Sequence, residues 1–256
     1  QQVSWQREAL DDYRAMRVEK AIGHLARHGS AVTGTNADVV RQAMADDWWR
    51  HRQSDEDALM MAHRNVDVDD LNRRARSHLA DAHRLQGETL VVNERPFQVG
   101  DTVVCLRNDH QRKIRNGTVG EIVMIDHGKQ SVLLDTADGL RRLHQEYLDE
   151  GWMRHGYAVT VHKAQGLTCE HALLLASDEM HHEMGYVGLS RGKLSNRLYA
   201  VTTEPSDPDL DPYRRSGEDV ERDPLRLVAE AMTRSGGKDL AVDGLDGFEA
   251  DFEMDL

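Results

Sequence analysis

The apolar positions of the chain follow a helical period at its start and the pattern of short buried strands further on. Trp5, Ala9 and Tyr13 lie four positions apart, which places them on one face of an amphipathic helix. This spacing predicts a single helix over residues 4–28, which Gly29 ends.

Strands and helices alternate through most of the remaining chain. The pattern predicts strands over residues 57–64, 157–161, 171–176 and 197–203, and helices over residues 36–51, 67–86, 179–190 and 223–234. Alternation of this kind is typical of an α/β fold built on a parallel sheet.

Residues 97–148 have a different pattern, in which short β-rich runs alternate with turn signals such as Asn116-Gly117. Strands this short favour a small barrel inserted into the α/β domain. The predicted strands cover residues 102–106, 118–125, 131–135 and 140–144. The predicted units are a helical lead-in over 1–56, an α/β domain over 57–94 and 151–203, an inserted barrel over 95–150, and an acidic, mostly disordered tail over 204–256.

Two polar clusters carry the candidate chemistry. The first follows the predicted strand at 157–161, where open α/β sheets usually bind ligands; it contains Thr160, His162, Lys163, Gln165 and Gly166. The second is the segment YVGLSRGK at residues 186–193, which contains Arg191.

The segments YAVTVHKAQG, at 157–166, and YVGLSRGK resemble motifs V and VI of superfamily 1 helicases. The resemblance is closest to the RecD-like branch, as in conjugative relaxase-helicases of the MobF type. It implies a RecA-like fold of the P-loop NTPase type, here the second motor domain of a 5′-to-3′ DNA helicase. It also implies ATP and Mg²⁺ as cofactors and single-stranded DNA as a partner.

The resemblance assigns roles to the two clusters. Arg191 matches the arginine finger that stabilises charge on the γ-phosphate, while Gln165 and Gly166 match a turn that faces the nucleotide. Thr160 and His162 match residues that contact the DNA backbone, and Lys163 is expected to contact a phosphate. The alternatives are an arginine that bonds carbonyls at a helix end and a polar turn that caps a helix. The family's acidic ribose contact is replaced by Thr168, which implies weaker ribose recognition from this side.

Two further segments resemble the same family. An LNxxxR pattern places Asn72 and Arg76 on a helix beside the DNA. The runs FQVGDTVVCLRND and RNGTVGEIV resemble the SH3-like insertion, whose loops contact the single strand; the matching residues are Arg107, Asn108, Arg115 and Asn116. Ordinary solvated helix and loop surfaces are the alternative interpretation of both segments.

The sequence lacks a phosphate-binding loop of the pattern G-x-x-x-x-G-K-[ST]. The resemblance therefore implies that this loop, the magnesium-binding acid and the first RecA-like domain precede Gln1. Alone, the chain is expected not to hydrolyse ATP. No metal site is predicted, since His24 and His28 have no third ligand nearby in sequence and the two cysteines are far apart.

Charge alone does not identify the partner. The formal net charge is -13, but residues 204–256 carry 16 acidic and 6 basic residues, so residues 1–203 have a net charge of about -3. The acidic tail is expected to stay solvated or to bind a protein partner. No apolar run approaches the length that crosses a membrane, and a bacterial cytoplasmic protein is predicted. The alternative function is a non-catalytic nucleic-acid-binding or regulatory module with a degenerate helicase fold.

Overall fold

Helices and strands alternate at both ends of the chain, and its middle consists mainly of strands. The computed structural model describes residues 4–34, 36–201 and 223–236. The helices are α1 (Ser4–Arg14), α2 (Val18–Arg27), α3 (Ala37–Gln53), α4 (Asn65–Asp81), α5 (Gln145–Asp149), α6 (His182–Leu189) and α7 (Pro224–Ala231). The strands are β1 (Ala31–Thr33), β2 (Ala58–Ala62), β3 (Gln86–Val92), β4 (Arg95–Val99), β5 (Thr102–Cys105), β6 (Val119–Asp126), β7 (Ser131–Thr136), β8 (Gly139–Leu143), β9 (Met153–His155), β10 (Ala158–Thr160), β11 (Cys169–Ala176) and β12 (Gly192–Ala200).

Five strands form a parallel sheet with the order β1-β12-β11-β2-β10. The predicted α/β class with a central parallel sheet is therefore confirmed. Strand β11 lies in the middle, with Leu174 opposite both Met61 and Leu198. Strand β1 lies within the predicted helical lead-in, so residues 1–56 contribute a strand to the sheet as well as helices.

Helices cover both faces of this sheet because its strands place apolar side chains alternately on each side. Met61 and Leu174 pack in one core with α1, α2, α6 and α7. Met60 and Leu173 point to the opposite face and pack with α3 and α4. Both faces are buried, as is usual for a parallel sheet.

The inserted segment has a core of its own. Strands β8, β7, β6, β5 and β9 pair in that order as an antiparallel sheet, and β3 pairs with β4 as a hairpin. Phe97, Ile122 and Leu134 are fully buried in this core. In the described residues the pairing runs from β8 to β9 without closing, so the predicted barrel is not confirmed. The paired strands of this segment extend from Gln86, in β3, to His155, in β9.

The predicted helix over residues 4–28 is wrong in its middle, because α1 and α2 are separate helices. Met16 lies between them with a φ of 61°, a left-handed conformation that does not continue an α-helix. Its side chain is exposed, so it is not part of the buried stripe. The predicted tail lies outside the described residues except for residues 223–236, where α7 packs against α2 and the central sheet.

The carboxylate of Asp101 joins the insertion to the central domain. It is fully buried and accepts hydrogen bonds from the Tyr157 hydroxyl at 2.6 Å and from the Gln98 N–H at 2.7 Å. Arg76 of α4 donates its Nε–H to the same carboxylate at 3.2 Å. Burial, followed by the charge of Asp101, raises the pKa of Tyr157, which keeps the hydroxyl protonated as the donor.

Strand β9 continues almost directly into β10, so the chain leaves the insertion and enters the central sheet with two residues between them. Gly156, one of these two, lies against the backbone of β5. A Cβ at this position would lie 3.1 Å from the carbonyl carbon of Val103. A side chain here would therefore push β5 away from the junction.

The carboxylate of Glu183, in the first turn of α6, holds the segment that follows α7. It accepts the Gly236 N–H at 3.0 Å and the Ser235 hydroxyl at 2.8 Å, and the His181 ring lies 2.9 Å away. The hydrogen bond from Gly236 is the main cause that lowers the pKa of Glu183 to about 2. The segment after α7 is thus fixed to α6 by an ionised carboxylate.

Among the described residues, no helix has both the length and the apolar character needed to cross a membrane.

Replacement of Asp101 by alanine is predicted to destabilise the protein strongly. The substitution leaves the buried Arg76 and Tyr157 without their shared acceptor, and loss of one partner of a buried ion pair costs about 3–5 kcal/mol. Urea unfolding followed by tryptophan fluorescence measures the change. Asp138→Ala, in the exposed β7–β8 turn, is the control and should change stability by less than about 0.5 kcal/mol. Equal unfolding midpoints for the two variants would contradict the role given to Asp101.

The stabilising effect of Glu183 is predicted to disappear in acid. Because the pKa of Glu183 is lowered in the folded state from 4.5 to about 2, its contribution is fully present above pH 4.5 and is lost as the pH falls towards 2. Urea unfolding of the wild type and of Glu183→Gln should therefore differ at pH 6 and converge towards pH 2. Glu230→Gln, an exposed substitution on α7, serves as the control. A difference between wild type and Glu183→Gln that does not change with pH would argue against the assignment.

Candidate nucleic-acid and nucleotide interface

The turn after β10 presents several polar side chains to solvent. Its backbone is held by bonds from the Ala164 N–H to the Thr160 carbonyl at 3.0 Å and from the Gln165 N–H to the His162 carbonyl at 3.2 Å. The side chains of His162, Lys163 and Gln165 are exposed. Gly166 ends the turn with a φ of +85°, which favours glycine. The structure thus brings the residues of the first polar cluster together on one turn.

Two basic residues that the sequence analysis did not single out lie beside this turn. His63 follows β2, and its ring centroid is 6.4 Å from that of His162. Arg154, in β9, is close enough to Lys163 that its positive charge, together with the larger effect of burial, lowers the pKa of Lys163. The Nδ1 of His63 and the Nε of Arg154 are buried without hydrogen-bond partners. Burial, followed by the charge of His162, lowers the pKa of His63, so an anion bound at the turn would mainly relieve the repulsion between Arg154 and Lys163.

These two residues were not found from sequence because their signal is spatial. His63 lies at the carboxyl end of β2, and the parallel pairing of Ala62 with Thr160 places it next to the turn. Arg154 lies in a strand that the sequence analysis did not predict. The register of the parallel sheet explains the position of His63 only, because Arg154 belongs to the antiparallel sheet.

Asn72 and Arg76 are both hydrogen-bonded within the protein, and their contact with DNA stays a prediction. Asn72 is buried; its amide donates to the Ala158 carbonyl at 3.2 Å and accepts the Ala158 N–H at 2.9 Å. Arg76 is bound to Asp101 and donates to the Gln98 side chain at 2.8 Å. Both residues therefore hold β10 and the insertion in place.

Arg191 connects the two motifs. It follows α6, and its guanidinium donates to the Val187 carbonyl at 2.9 Å and to the Ser190 hydroxyl at 2.8 Å. A third bond, from Nη1 to the Leu167 carbonyl at 3.2 Å, reaches the residue that follows Gly166. A guanidinium has five N–H donors, so two of them remain for a further acceptor. Arg191 thus caps a helix end, as the alternative interpretation holds, and also contacts the motif V turn.

The predicted strand-contacting residues of the insertion lie together on the loop between β5 and β6. Arg107, Asn108, Arg115 and Asn116 are all exposed. The Asn116 N–H donates to the Asn108 side chain at 2.8 Å and closes the base of the loop. The Arg107 guanidinium lies over the Trp152 ring at 4.6 Å, and Trp152 directly precedes β9.

The loop and the turn are connected by one extended stretch of chain. From Trp152, beneath Arg107, the backbone runs through β9 and β10 to Thr160. Eight residue steps span at most about 29 Å, which is the upper limit on the distance between the backbone at Trp152 and the backbone at Thr160.

A cleft of about 760 Å³ lies between α4 and the β3–β4 turn, but its charges are balanced. Its arginines are paired with carboxylates: Arg73 with Asp70, Arg76 with Asp101 and Arg95 with Asp69. The cleft is therefore a weaker candidate for a phosphate site than the turn after β10.

No metal site is predicted from sequence, yet the described residues contain two groups of three side chains whose ligand atoms lie within 4.8 Å of one another. One group is Glu8, Asp12 and His24. The other is His51, Glu56 and His171.

Comparison with other proteins was made at the level of sequence and of fold. No protein-family model matches the chain. The conjugal transfer protein TraA of Agrobacterium fabrum is 31% identical over 205 residues, which cover 78% of this chain and 18% of TraA. TraA of Rhizobium radiobacter is 30% identical over 209 residues, which cover 79% of this chain and 19% of that TraA. The ATP-dependent DNA helicase Pif1 of Bdellovibrio bacteriovorus is 29% identical over 131 residues, which cover 45% of this chain and 29% of that Pif1. The chain thus spans less than a fifth of the length of these TraA proteins.

Solved structures with a similar fold include Pif1 helicases. Pif1 from Bacteroides in complex with ADP-AlF3 and ssDNA has a TM-score of 0.49 and 14% identity, covering 81% of this chain and 50% of that one. Pif1 from Candida albicans has a TM-score of 0.46 and 14% identity, and the match covers 75% of this chain and 52% of that one.

Proposed function

We propose that this chain, a relative of the RecD-like superfamily 1 helicases through its similarity to TraA and Pif1, is the second motor domain of a DNA helicase that acts in conjugation. It would contact single-stranded DNA and supply an arginine to an ATP site completed by a first motor domain. A 5′-to-3′ polarity is part of the proposal and rests on the resemblance alone.

The bond between Arg191 and the Leu167 carbonyl is the observation that carries the proposal. It links the motif VI arginine directly to the turn that bears the proposed DNA contacts. A helicase motor must couple the state of its bound nucleotide to the strength of its contact with the DNA strand. Movement of Arg191 towards a γ-phosphate would release this bond and free the turn to shift.

The residues near Arg191 fit a nucleotide on chemical grounds. Gln165 is exposed, and no atom lies within 4 Å of the space beside Gly166, so a phosphate or a sugar can approach. Arg191 has two N–H donors left for phosphate oxygens. ATP with Mg²⁺ would supply the driving reaction, and the metal would be held mainly by the first motor domain, because these three residues offer no carboxylate.

Thr160, His162 and Lys163 are the proposed backbone contacts to single-stranded DNA. Hydroxyl, imidazole and ammonium groups suit phosphate and sugar contacts that carry no sequence information. Arg154 strengthens the positive field at this turn, and His63 lies beside it with an unpaired ring nitrogen. Asn72 and Arg76, by contrast, act by holding β10 and the insertion.

The β3–β4 hairpin and the antiparallel sheet of β5 to β9 are together proposed to correspond to the SH3-like insertion of RecD-like helicases. Arg107, Asn108, Arg115 and Asn116 would contact the strand from its exposed loop. The domain boundaries then become Gln86 and His155 for the insertion, with α1 to α3 and β1 belonging to the motor domain. The acidic residues beyond 203 remain a candidate docking segment for a protein partner.

A second function, that of a non-catalytic nucleic-acid-binding module, is favoured by one observation. The guanidinium of Arg191 already has three local acceptors, as expected of a nucleic-acid-binding module without catalysis. Measurement of ATP turnover distinguishes the two functions, because only a helicase motor hydrolyses ATP.

Replacement of Arg191 is predicted to abolish ATP turnover in a longer protein that contains this chain and a nucleotide-binding motor domain. An arginine finger contributes about 10³–10⁵-fold to turnover. Turnover should therefore also fall strongly in Arg191→Lys, which keeps the charge but loses the planar guanidinium. Single-stranded DNA affinity should change by less than about threefold. Turnover is measured by phosphate release, with Arg226→Ala on α7 as the control. Near-normal turnover in both Arg191 variants would leave the non-catalytic module as the better description.

Single-stranded DNA binding by this chain is predicted to depend on Lys163 and Arg115. Loss of one phosphate contact reduces the slope of log affinity against log salt by about 0.7 for single strands. Lys163→Ala and Arg115→Ala should each show this reduction in fluorescence anisotropy titrations at several salt concentrations. Arg226→Ala removes the same charge from an exposed site on α7 and should leave the slope unchanged. Equal slopes for all three variants would place the DNA elsewhere.

A further inference from the structure

Three side chains that are distant in sequence meet near the amino ends of β2 and β11. His51 lies in the last turn of α3, Glu56 in the loop before β2, and His171 near the start of β11. The Glu56 Oε2 is 2.6 Å from His51 Nδ1 and 3.4 Å from His171 Nε2. The two imidazole rings stack with their centroids 4.0 Å apart. All three residues are partly buried.

The His171 ring is oriented by a separate contact. Its Nδ1 is 2.7 Å from the Ser195 hydroxyl on the neighbouring strand β12. Its Nε2 is buried and has no hydrogen-bond partner. In the tautomer whose Nδ1–H donates to Ser195, the Nε2 lone pair faces the Glu56 carboxylate. In that tautomer, a cation between these two electron-rich atoms, 3.4 Å apart, could bond to both.

We propose that His51, Glu56 and His171 bind a divalent transition-metal ion, with Zn²⁺ as the best match. Two imidazoles and one carboxylate form a common zinc ligand set that leaves a fourth position open to water or another ligand. Ligand atoms of a tetrahedral zinc site lie about 3.3 Å apart, close to the distance between Glu56 and His171. The shorter distance between His51 and Glu56 would lengthen, and the stacked rings would tilt apart, on binding.

The second group of candidate ligands does not share this character. Asp12 already accepts ion pairs from Arg17 at 2.8 Å and from Lys20 at 3.0 Å, so its charge is neutralised by protein cations. Among the described residues, Glu56 lies near the two histidines and within ion-pair distance of no lysine or arginine. Its charge is therefore available to a metal ion.

The site adjoins the strand region that carries Arg191. His171 pairs with Ala58 on one side and with Ser195 on the other. Two residues earlier, the Cys169 N–H donates to the Arg191 carbonyl at 3.1 Å. A bound ion would connect the loop before β2 to β11 and stiffen the amino-terminal end of β11, which lies next to the motif VI arginine. The metal site is independent of the proposed helicase function.

Metal titration of the untagged chain, after treatment with a chelator, tests the proposal. Calorimetry with Zn²⁺ should show one ion per chain, and Co²⁺ should give the visible absorption of a site with nitrogen ligands. His171→Gln and Glu56→Gln should weaken Zn²⁺ binding at least 100-fold. His127→Gln, which removes an exposed histidine of the β6–β7 turn, should bind as the wild type does.

Two further measurements keep the test decisive if a ligand variant folds poorly. Ser195→Ala retains all three ligands but loses the contact that orients His171, and it should weaken binding about 10–100-fold. Zn²⁺ should also raise the melting temperature of the wild type and of His127→Gln, but not that of Glu56→Gln. Equal Zn²⁺ affinity in the wild type, Glu56→Gln and Ser195→Ala would overturn the proposal, as would the absence of one-to-one binding in the wild type.

Discussion

The buried carboxylate of Asp101 holds the insertion against the central domain. A charge without access to water is costly unless it is paired and hydrogen-bonded, and here α4, β4 and the residue before β10 all supply donors. Arg76 and Tyr157 belong to the central domain, while Asp101 belongs to the insertion. The insertion therefore cannot rotate freely on its two connections. The loop that carries Arg115 and the turn that carries Lys163 keep one relative placement, as two contact points for one DNA strand would require.

Much of the central domain could be predicted from sequence, because four of its five strands are long or apolar enough to show a pattern. The resemblance to RecD-like helicases, drawn from the two motifs, is confirmed by the TraA and Pif1 relatives. Strands β1 and β10 each have three residues, but β10 lies in a longer apolar run at 157–161, whereas Ser30 and Gly34 border β1. The β3–β4 hairpin was missed because its turn, at Asn93 and Glu94, has positive φ at both positions without glycine.

The site could be predicted only where its residues are adjacent in sequence. Thr160, His162 and Lys163 lie on one turn, so a motif describes them. Asn72 shows the limit of this approach: on a helix it looks like any polar position, and its partner Ala158 is 86 residues away. The same limit applies to His51, Glu56 and His171, which the spacing of the chain does not bring together. Their proximity follows from the order of β12, β11 and β2.

The amide of Asn72 also matters for how this protein behaves in a crowded cell. Strand β10 lies at the end of the described order of the parallel sheet, and an unpaired sheet edge is a template for association with other chains. The Ala158 N–H and carbonyl, which an added strand would use, are both bonded by Asn72. One side chain thus takes the place of a neighbouring strand. It closes the edge to unwanted pairing while leaving side chains of the turn beyond β10 exposed.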